Sequence, residues 1–387
     1  MSIPFLFGLS FALHLYIGVR VIPAFPSPLA AALLALLLVA SAAFVPTGLL
    51  ARRLARPPMA DTLAWAGLLF LGLFSSLFVL TVLRDSLLLV LWLATLAVPG
   101  EQSLEQAALA TAVAVPSLGL AVTLLGYANA RRTARVVTVT VPMAGLPTAL
   151  HGFTIVQISD IHVGPTIRER FVEGIVEAVN HLKPDLVAIT GDLVDGTVAE
   201  LGAQVAPLRR LVSPCGSYFV TGNHEYYSGV HPWLAELGRL GIRVLHNEHV
   251  VIERGGARLV LAGVPDYNAG HFERDHRSDP QAALAGAPPD AAVKVLLAHQ
   301  PRSATAAAQA GFDLQLSGHT HGGQFLPWTF FVRFQQPFTA GLHRVGKLRV
   351  YVSRGTGYWG PPKRFGAPSE ITLIRLVAAS PAHGGIE

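Results

Sequence analysis

What most limits the folding of this 387-residue chain is the scarcity of charge at one end. Between Met1 and Ala130 stand five arginines (Arg20, Arg52, Arg53, Arg56 and Arg84), four acids (Asp61, Asp85, Glu101 and Glu105) and no lysine. A helix of about 20 apolar residues is enough to cross a hydrocarbon core. Residues 3–21, 29–50, 63–83 and 104–128 each meet that length, the first two parted by the breaker-rich PAFPSP. The short run 87–98, between Arg84-Asp85 and Pro99-Gly100-Glu101, reads as a fifth span or a re-entrant segment. No signal-peptide cleavage pattern follows the first run. Residues 1–130 are therefore expected to form an all-α, multi-pass transmembrane region of four or five spans.

The span count governs sidedness. Arg52, Arg53 and Arg56 follow the second span and mark a cytoplasmic loop. Four spans place Arg131, Arg132 and Arg135 on that same side, whereas five place them and everything after them outside. His14, inside the first span, is expected to hydrogen-bond to a neighbouring helix or to sit near an interface. Arg84 and Asp85 are expected to form a loop.

Beyond residue 130 the composition changes. Bases and acids interleave without a long basic run, and a net charge of +5 leaves no nucleic-acid footprint. Cys215 is the only cysteine, so an internal disulfide is excluded. Residues 131–150 read as a connector carrying the alternating strand RVVTVTV. From there FTIVQISD, DLVAITGD, SYFVTGNHE, RLVLAGVPD, VKVLLAHQ and LQLSGHTH each open as an apolar β-run and close on Asp, Asn or His. RERFVEGIVEAVNHL and HPWLAELGRLG between them have helical periodicity. Strands alternating with helices indicate an α/β domain with a substantially parallel sheet, whose ligands lie beyond the carboxyl ends of the strands.

That rule gathers Asp160, His162, Asp192, Asn223, His224, His299, His319 and His321 at one place. Carboxylate, imidazole and amide without thiolate suit Mn, Fe, Zn or Ni. Seven candidate ligands exceed the four of a tetrahedral site and suit two divalent ions sharing a carboxylate. Gly191, Gly222 and Gly318 precede three of them and let the backbone come close.

In order and spacing, D160-x-H162, G191-D192-x-x-D195, G222-N223-H224-E225, H299 and G318-H319-x-H321 resemble the calcineurin-like metallophosphoesterases. The resemblance runs over residues 153–376, and with the apolar N-terminus it points to a membrane-associated, bacterial-type phosphohydrolase branch. It implies a four-layer α/β/β/α sandwich over residues 151–378, followed by a tail at 379–387. It also implies that Asp160, His162 and His321 hold one metal, Asn223, His299 and His319 the other, and that Asp192 bridges them. A metal-bridging hydroxide would attack phosphorus, with His224 protonating the leaving alkoxide and Asp195 accepting a hydrogen bond from His224.

Other residues receive lesser roles. Glu225 reads as a helix cap and His181 as a helix-end residue. His231, His246, His249, His271, His276 and His343 read as loop or surface residues without metal. Arg364 is a candidate phosphate contact before a closing strand in RFGAPSEITLIRL. Gly196 and Thr221 stand where the protein serine/threonine phosphatase branch carries arginines, so a phosphoprotein substrate is not expected. The substrate is expected to be a phosphomonoester, a phosphodiester or a lipid-linked pyrophosphate, such as the nucleotide-linked diacylglucosamine cleaved within this branch. Membrane lipid is the other partner, and no protein partner is inferred. The alternative is a non-catalytic, metal-binding sensor or transporter-like membrane module.

Overall fold

The computed structural model describes residues 2–97 and 102–379. Val98, the Pro99-Gly100-Glu101 breaker and all but the first residue of the 379–387 tail lie outside the described residues. The chain divides into two compact units. One holds residues 1–131 together with Phe325–Pro327 and Gly360–Phe365, and the other holds the remainder.

In the first unit, four helices among the described residues are long and apolar enough to cross a membrane. They are Ile3–Val21, Pro28–Leu49, Met59–Ala97 and Gln102–Arg131. Their shared core contains Ile17, Val21, Leu34, Leu38, Leu77, Ala112 and Val115. The run 87–98 is not a separate span: through Ala97 it continues the helix that begins at Met59. Nor do Arg84 and Asp85 form a loop. Asp85 accepts hydrogen bonds from the Tyr16 hydroxyl at 2.7 Å and from Arg20 Nε at 2.9 Å, and Arg84 donates to the Ala108 carbonyl at 3.3 Å. Asp85 is paired inside the bundle and Arg84 is bonded there through its Nη atoms, though not, among the described residues, through Nε, so the helix runs through them without an exit to water. His14 meets Ser41 of the next helix at 2.8 Å, as expected.

The second unit is built on twelve strands in two six-stranded sheets. The first comprises β1 (Arg135–Met143), β12 (Glu370–Ala378), β2 (Thr154–Ile158), β3 (Leu186–Ile189), β4 (Ser217–Phe219) and β5 (Arg243–Val244), in that order. β2 to β5 are parallel, β12 runs antiparallel to β2, and β1 parallel to β12 from Arg135 opposite Glu370. The second comprises β10 (Gly341–Val345), β11 (Leu348–Val352), β9 (Leu314–Ser317), β8 (Val293–Leu297), β7 (Ala257–Gly263) and β6 (Glu248–Arg254). Its four central strands are parallel and its two outer strands antiparallel. The single parallel sheet suggested by the β-runs is thus two mixed sheets, in keeping with the implied sandwich.

The sheets face each other across one apolar core that includes Ile155, Leu186, Leu261, Leu297, Leu316 and Ile374. Helices cover the outer faces. Glu169–His181, for example, buries Val172, Ile175, Val176 and Val179, the i, i+3, i+4, i+7 stripe of an amphipathic helix. One polar clamp also crosses between the sheets. Glu370 of β12, only 1% exposed, accepts from the Tyr351 hydroxyl of β11 at 2.6 Å and from Arg354 Nη1 at 2.9 Å. Burial and the Glu370 carboxylate together push the Tyr351 phenol well above its usual range.

Removing one partner of such a buried network orphans the others. Glu370→Ala is expected to cost about 3 kcal/mol or more. Chemical denaturation of the full chain in detergent micelles measures it, and a loss within experimental error would show that the clamp contributes nothing.

Candidate metal centre

Each catalytic candidate sits where a β-run stops. Asp160 and His162 follow β2, Asp192 and Asp195 follow β3, and Asn223 and His224 follow β4, all in the first sheet. His299 follows β8, while His319 and His321 follow β9, in the second. Three strands of the first sheet and two of the second thus supply the site, and the cluster forms where the two sets of loops converge. The loops interlock: Asp160 N donates to Gly191 O at 3.0 Å and His162 N to Asp192 O at 3.1 Å. Gln157 Nε2 spans the sheets from the Thr190 hydroxyl to the Ser317 carbonyl.

The turns are sharp. Asp160, His162, Asp192, His319 and His321 all have left-handed backbone, with φ between 51° and 70°. That region is disfavoured for side-chain-bearing residues, and its clustering is typical of functional sites. The preceding glycines answer to close approach. A methyl group on Gly222 would overlap the Asp192 carboxylate, and one on Gly318 would overlap Ser159 and Asp160.

The hydrogen bonds fix which nitrogen of each ring faces inward. A carboxylate or carbonyl oxygen can only accept, so the ring nitrogen beside it carries the proton. His299 Nδ1 donates to Thr190 O at 2.7 Å, leaving Nε2 facing Asp192 Oδ2 at 3.1 Å and His319 Nδ1 at 3.2 Å. His162 Nδ1 donates to Asp195 Oδ1 at 3.0 Å, leaving Nε2 facing His321 Nε2 at 3.1 Å. His321 Nε2 also lies 3.6 Å from Asp160 Oδ1.

Three donor triads result, Asp160–His162–His321, Asp192–His299–His319 and His162–Asp192–His224, in each of which one ligand atom per residue lies within 4.8 Å of the others; the first two share no residue. Imidazole and carboxylate donors crowded at about 3 Å share positive charge between them, as ring protons or as bound cations. Asn223 Oδ1 supplies an independent sign: it is buried, lines the same cleft and has no hydrogen-bond partner among the described residues. The residues present therefore fit a pair of divalent cations.

Electrostatics divide the histidines. Burial, aided by the neighbouring His299, pushes His319 down to about 3, so its ring stays neutral with a free lone pair. Burial would also lower His224, but Asp192 and Asp195 outweigh it and raise it to about 9. His224 Nδ1 donates to Asp195 Oδ1 at 2.6 Å, and its side chain keeps 17% exposure toward the cleft. Against the pull of burial, His162 and His224 hold Asp195 far below the usual carboxylate range. One carboxylate thus orients both rings.

All nine residues singled out by spacing meet in this network. Glu225 caps its helix as expected, accepting from Gly222 N at 2.6 Å, but it also accepts from Asp192 N at 3.0 Å and Leu193 N at 2.8 Å. It therefore ties the β4 loop to the β3 loop, a role that local spacing does not reveal. His181 ends a helix, as read. His276 departs from its surface assignment: it is buried and hydrogen-bonded to the Tyr226 hydroxyl at 2.9 Å. Arg364 is no phosphate contact. It is fully buried in the helical unit, where its backbone N donates to Gly126 O. The aromatic wall of the cleft, Tyr227, Trp328 and Trp359, was missed, because no motif marks it.

Comparison with known proteins agrees with this geometry. Residues 153–323 match the family described as calcineurin-like phosphoesterase. A "Transmembrane protein with metallophosphoesterase domain" from Bos taurus is 42% identical over 78% of this chain and 70% of its own length. A protein of the same name from Danio rerio is 42% identical over 66% of this chain and 60% of its own. An "Uncharacterized metallophosphoesterase" of Helicobacter pylori is 41% identical over 59% of this chain and 60% of its own. The chain thus spans about three-fifths of the length of the latter two relatives.

Glu225 offers a test of the loop geometry itself. Glu225→Ala leaves three buried N–H groups without an acceptor and is expected to cost about 3 kcal/mol or more in chemical denaturation, with Glu225→Gln costing less. Equal stability of the alanine variant and the native chain would contradict this account.

Proposed function

The chain belongs to the calcineurin-like metallophosphoesterase family and is a multi-pass membrane phosphoric ester hydrolase; from that premise we propose a two-cation mechanism. Asp160, His162 and His321 would hold one divalent ion, and Asn223, His299 and His319 the other. Asp192 would be shared between them. The observation that carries this reading is the pair of inward-facing donor triads, with the partnerless Asn223 amide oxygen beside them. Imidazole, carboxylate and amide without thiolate favour Mn, Fe, Zn or Ni. Such a pair supplies charge neutralisation for the phosphoryl oxygens and a water acidic enough to attack phosphorus.

The chain's own groups do the rest. With Nδ1 committed to Asp195, His224 presents Nε2 to the cleft, 4.0 Å from Asp192 Oδ2. At neutral pH the raised basicity of His224 keeps a proton there, ready for the departing alkoxide as the P–O bond breaks. Asp195 is a positioning residue, holding His224 and His162 in the tautomers these roles require. The substrate is a phosphomonoester, a phosphodiester or a lipid-linked pyrophosphate.

Three outcomes are expected of purified full-length protein. Elemental analysis gives about two equivalents of transition metal, as a two-metal site requires. Chelation abolishes hydrolysis of an aryl phosphate ester, and Mn²⁺ restores it. His224→Ala lowers kcat by about 100-fold or more while sparing metal content. Full activity in that variant would remove His224 from the chemistry, and loss of metal would make it a ligand. Metal retained without turnover of any ester would favour the sensor reading instead.

The continuous Met59–Ala97 helix also bears on sidedness. Two spans, that helix and Gln102–Arg131, separate the Arg52, Arg53 and Arg56 cluster from Arg131, Arg132 and Arg135. Both basic clusters then face one side, and the charge rule makes it the cytoplasm. Protease added to sealed inside-out vesicles is expected to degrade the catalytic unit. Protection there, with digestion in right-side-out vesicles, would reverse the assignment.

A further inference from the structure

The cleft above the donor cluster has a volume of about 380 Å³ and an unusual wall. His162, Asp192, Asn223, His224, His319 and His321 form the reactive floor. Tyr227, Trp328, Val332 and Trp359 rise from it, and no lysine or arginine lines the cavity among the described residues. The rings crowd the candidate proton donor. Tyr227 lies 5.2 Å from His224, and Trp359 lies 6.0 Å from it, both edge-on. Thr320, Gln335 and Gln336 complete the lining, so the leaving group would depart past an aromatic wall with an amide and hydroxyl rim rather than past basic side chains.

Trp328 opens the helix Trp328–Gln335, WTFFVRFQ. Val332, 5% exposed, faces the cleft, whereas Phe330, Phe331 and Phe334 are 57%, 50% and 85% exposed. At about 100° per residue these three phenyl groups fall within a single arc of roughly 100°, a continuous aromatic stripe on the outer side. A soluble surface rarely bares three adjacent phenylalanines without something to cover them.

Chain continuity indicates what that is. Trp328 is bonded to Pro327, and Trp359 to Gly360, and both neighbours belong to segments packed among the membrane helices. Within that unit the Ser75 hydroxyl donates to Leu326 O at 2.5 Å. Lys363 Nζ donates to Gly72 O at 2.9 Å and to the Ser76 hydroxyl at 2.7 Å, all on the Met59–Ala97 helix. The two tryptophans of the cleft wall are thus one residue removed from membrane-bound chain. The His321 loop is joined to the same place, since Gln324 Nε2 donates to Trp359 O at 2.9 Å and Trp359 N donates to Gln324 Oε1 at 3.0 Å.

We infer that the Phe330–Phe331–Phe334 face lies in the lipid interface, and that the ester hydrolysed is carried by a bilayer lipid whose apolar part passes Trp328 and Trp359. This deepens the phosphoesterase reading and rests on it for the chemistry. Water displaces at phosphorus the lipid alkoxide of a phosphomonoester, or the phosphate leaving group of a lipid pyrophosphate; that P–O bond breaks, and the departing oxygen takes its proton from His224. Aromatic residues on an amphipathic helix are the usual means of holding an element at the headgroup–acyl boundary.

Two measurements on the full chain test the two halves. In the first, Cys215→Ser removes the only native thiol, and Phe334→Cys carries an environment-sensitive fluorophore in phosphatidylcholine–phosphatidylglycerol nanodiscs. A blue-shifted emission quenched by doxyl-labelled lipid is expected. Water-like emission without quenching overturns the surface assignment, as does a blue shift without quenching, which would mean protein cover. In the second, hydrolysis of p-nitrophenyl phosphate is compared with that of dioleoyl and dihexanoyl phosphatidic acid and of dioleoylglycerol pyrophosphate, the dioleoyl lipids in vesicles. The Phe330→Ser, Phe331→Ser, Phe334→Ser triple variant is expected to lose about tenfold or more on the vesicle lipids, while its aryl phosphate turnover stays within about twofold. Equal loss or no loss on both classes overturns the proposal. Native protein that cleaves the aryl ester but no lipid sinks the lipid-substrate half alone. If it cleaves neither, the phosphoesterase reading itself has failed, and the quenching result still decides the surface.

Discussion

The constraint on which this structure turns is the burial of two carboxylates, Asp160 and Asp192, in one small space. An uncompensated buried charge costs several kcal/mol, and here two are placed among closely packed imidazoles. Burial raises Asp160, whereas His299 and His224 overcome burial at Asp192 and hold it well below the usual range. The same conflict drives His299 upward through Asp192 and Asp160, although burial alone would lower it. Such opposed shifts in neighbouring groups are what a site built for positive charge looks like. The left-handed backbone at five of the residues belongs to the same constraint. Strand ends must turn abruptly to aim their side chains at one point, and the two sheets and the Glu370 clamp hold them there.

Much of this was legible in the sequence for a simple reason. Each chemically active residue directly follows an apolar β-run, so strand placement and site placement were a single inference. The runs ending at Asp160, Asp192, Asn223, His299 and His319 became β2, β3, β4, β8 and β9 almost residue for residue. The division into two sheets was not legible from strand patterns, because a buried strand looks the same in either sheet. It was supplied by the motif order. Nor could spacing assign Asp195 two partners or Glu225 three, since these bonds cross between loops about 30 residues apart.

The errors have a common physical origin. Arg84-Asp85 and PPKRFG are polar strings, and polar strings are read as solvated turns. In the structure Arg84 and Asp85 stay within a helix because Tyr16, Arg20 and the Ala108 carbonyl satisfy them. Lys363 is buried because helix oxygens at Gly72 and Ser76 receive its ammonium, and the backbone of the buried Arg364 is held at Gly126 O. Polarity predicts a need for partners. Where those partners come from is a tertiary question, and in a bundle with little water the chain itself has to provide them.

The substitution of Gly196 and Thr221 for the arginines of the protein phosphatase branch fits that picture once their surroundings are seen. The Thr221 hydroxyl donates or accepts at the Tyr226 hydroxyl, 3.3 Å away, and accepts from Asp266 N at 3.2 Å, so it is spent on bracing the loop. Gly196 packs against Leu201 and Glu200, and its carbonyl accepts from the Trp233 indole at 2.9 Å. Neither position has a side chain free to reach a phosphate. The cleft instead presents the aromatic residues Trp328, Trp359 and Tyr227 together with the neutral polar Thr320, Gln335 and Gln336. Both tryptophans adjoin, through one peptide bond, segments that pack with the membrane-spanning helices.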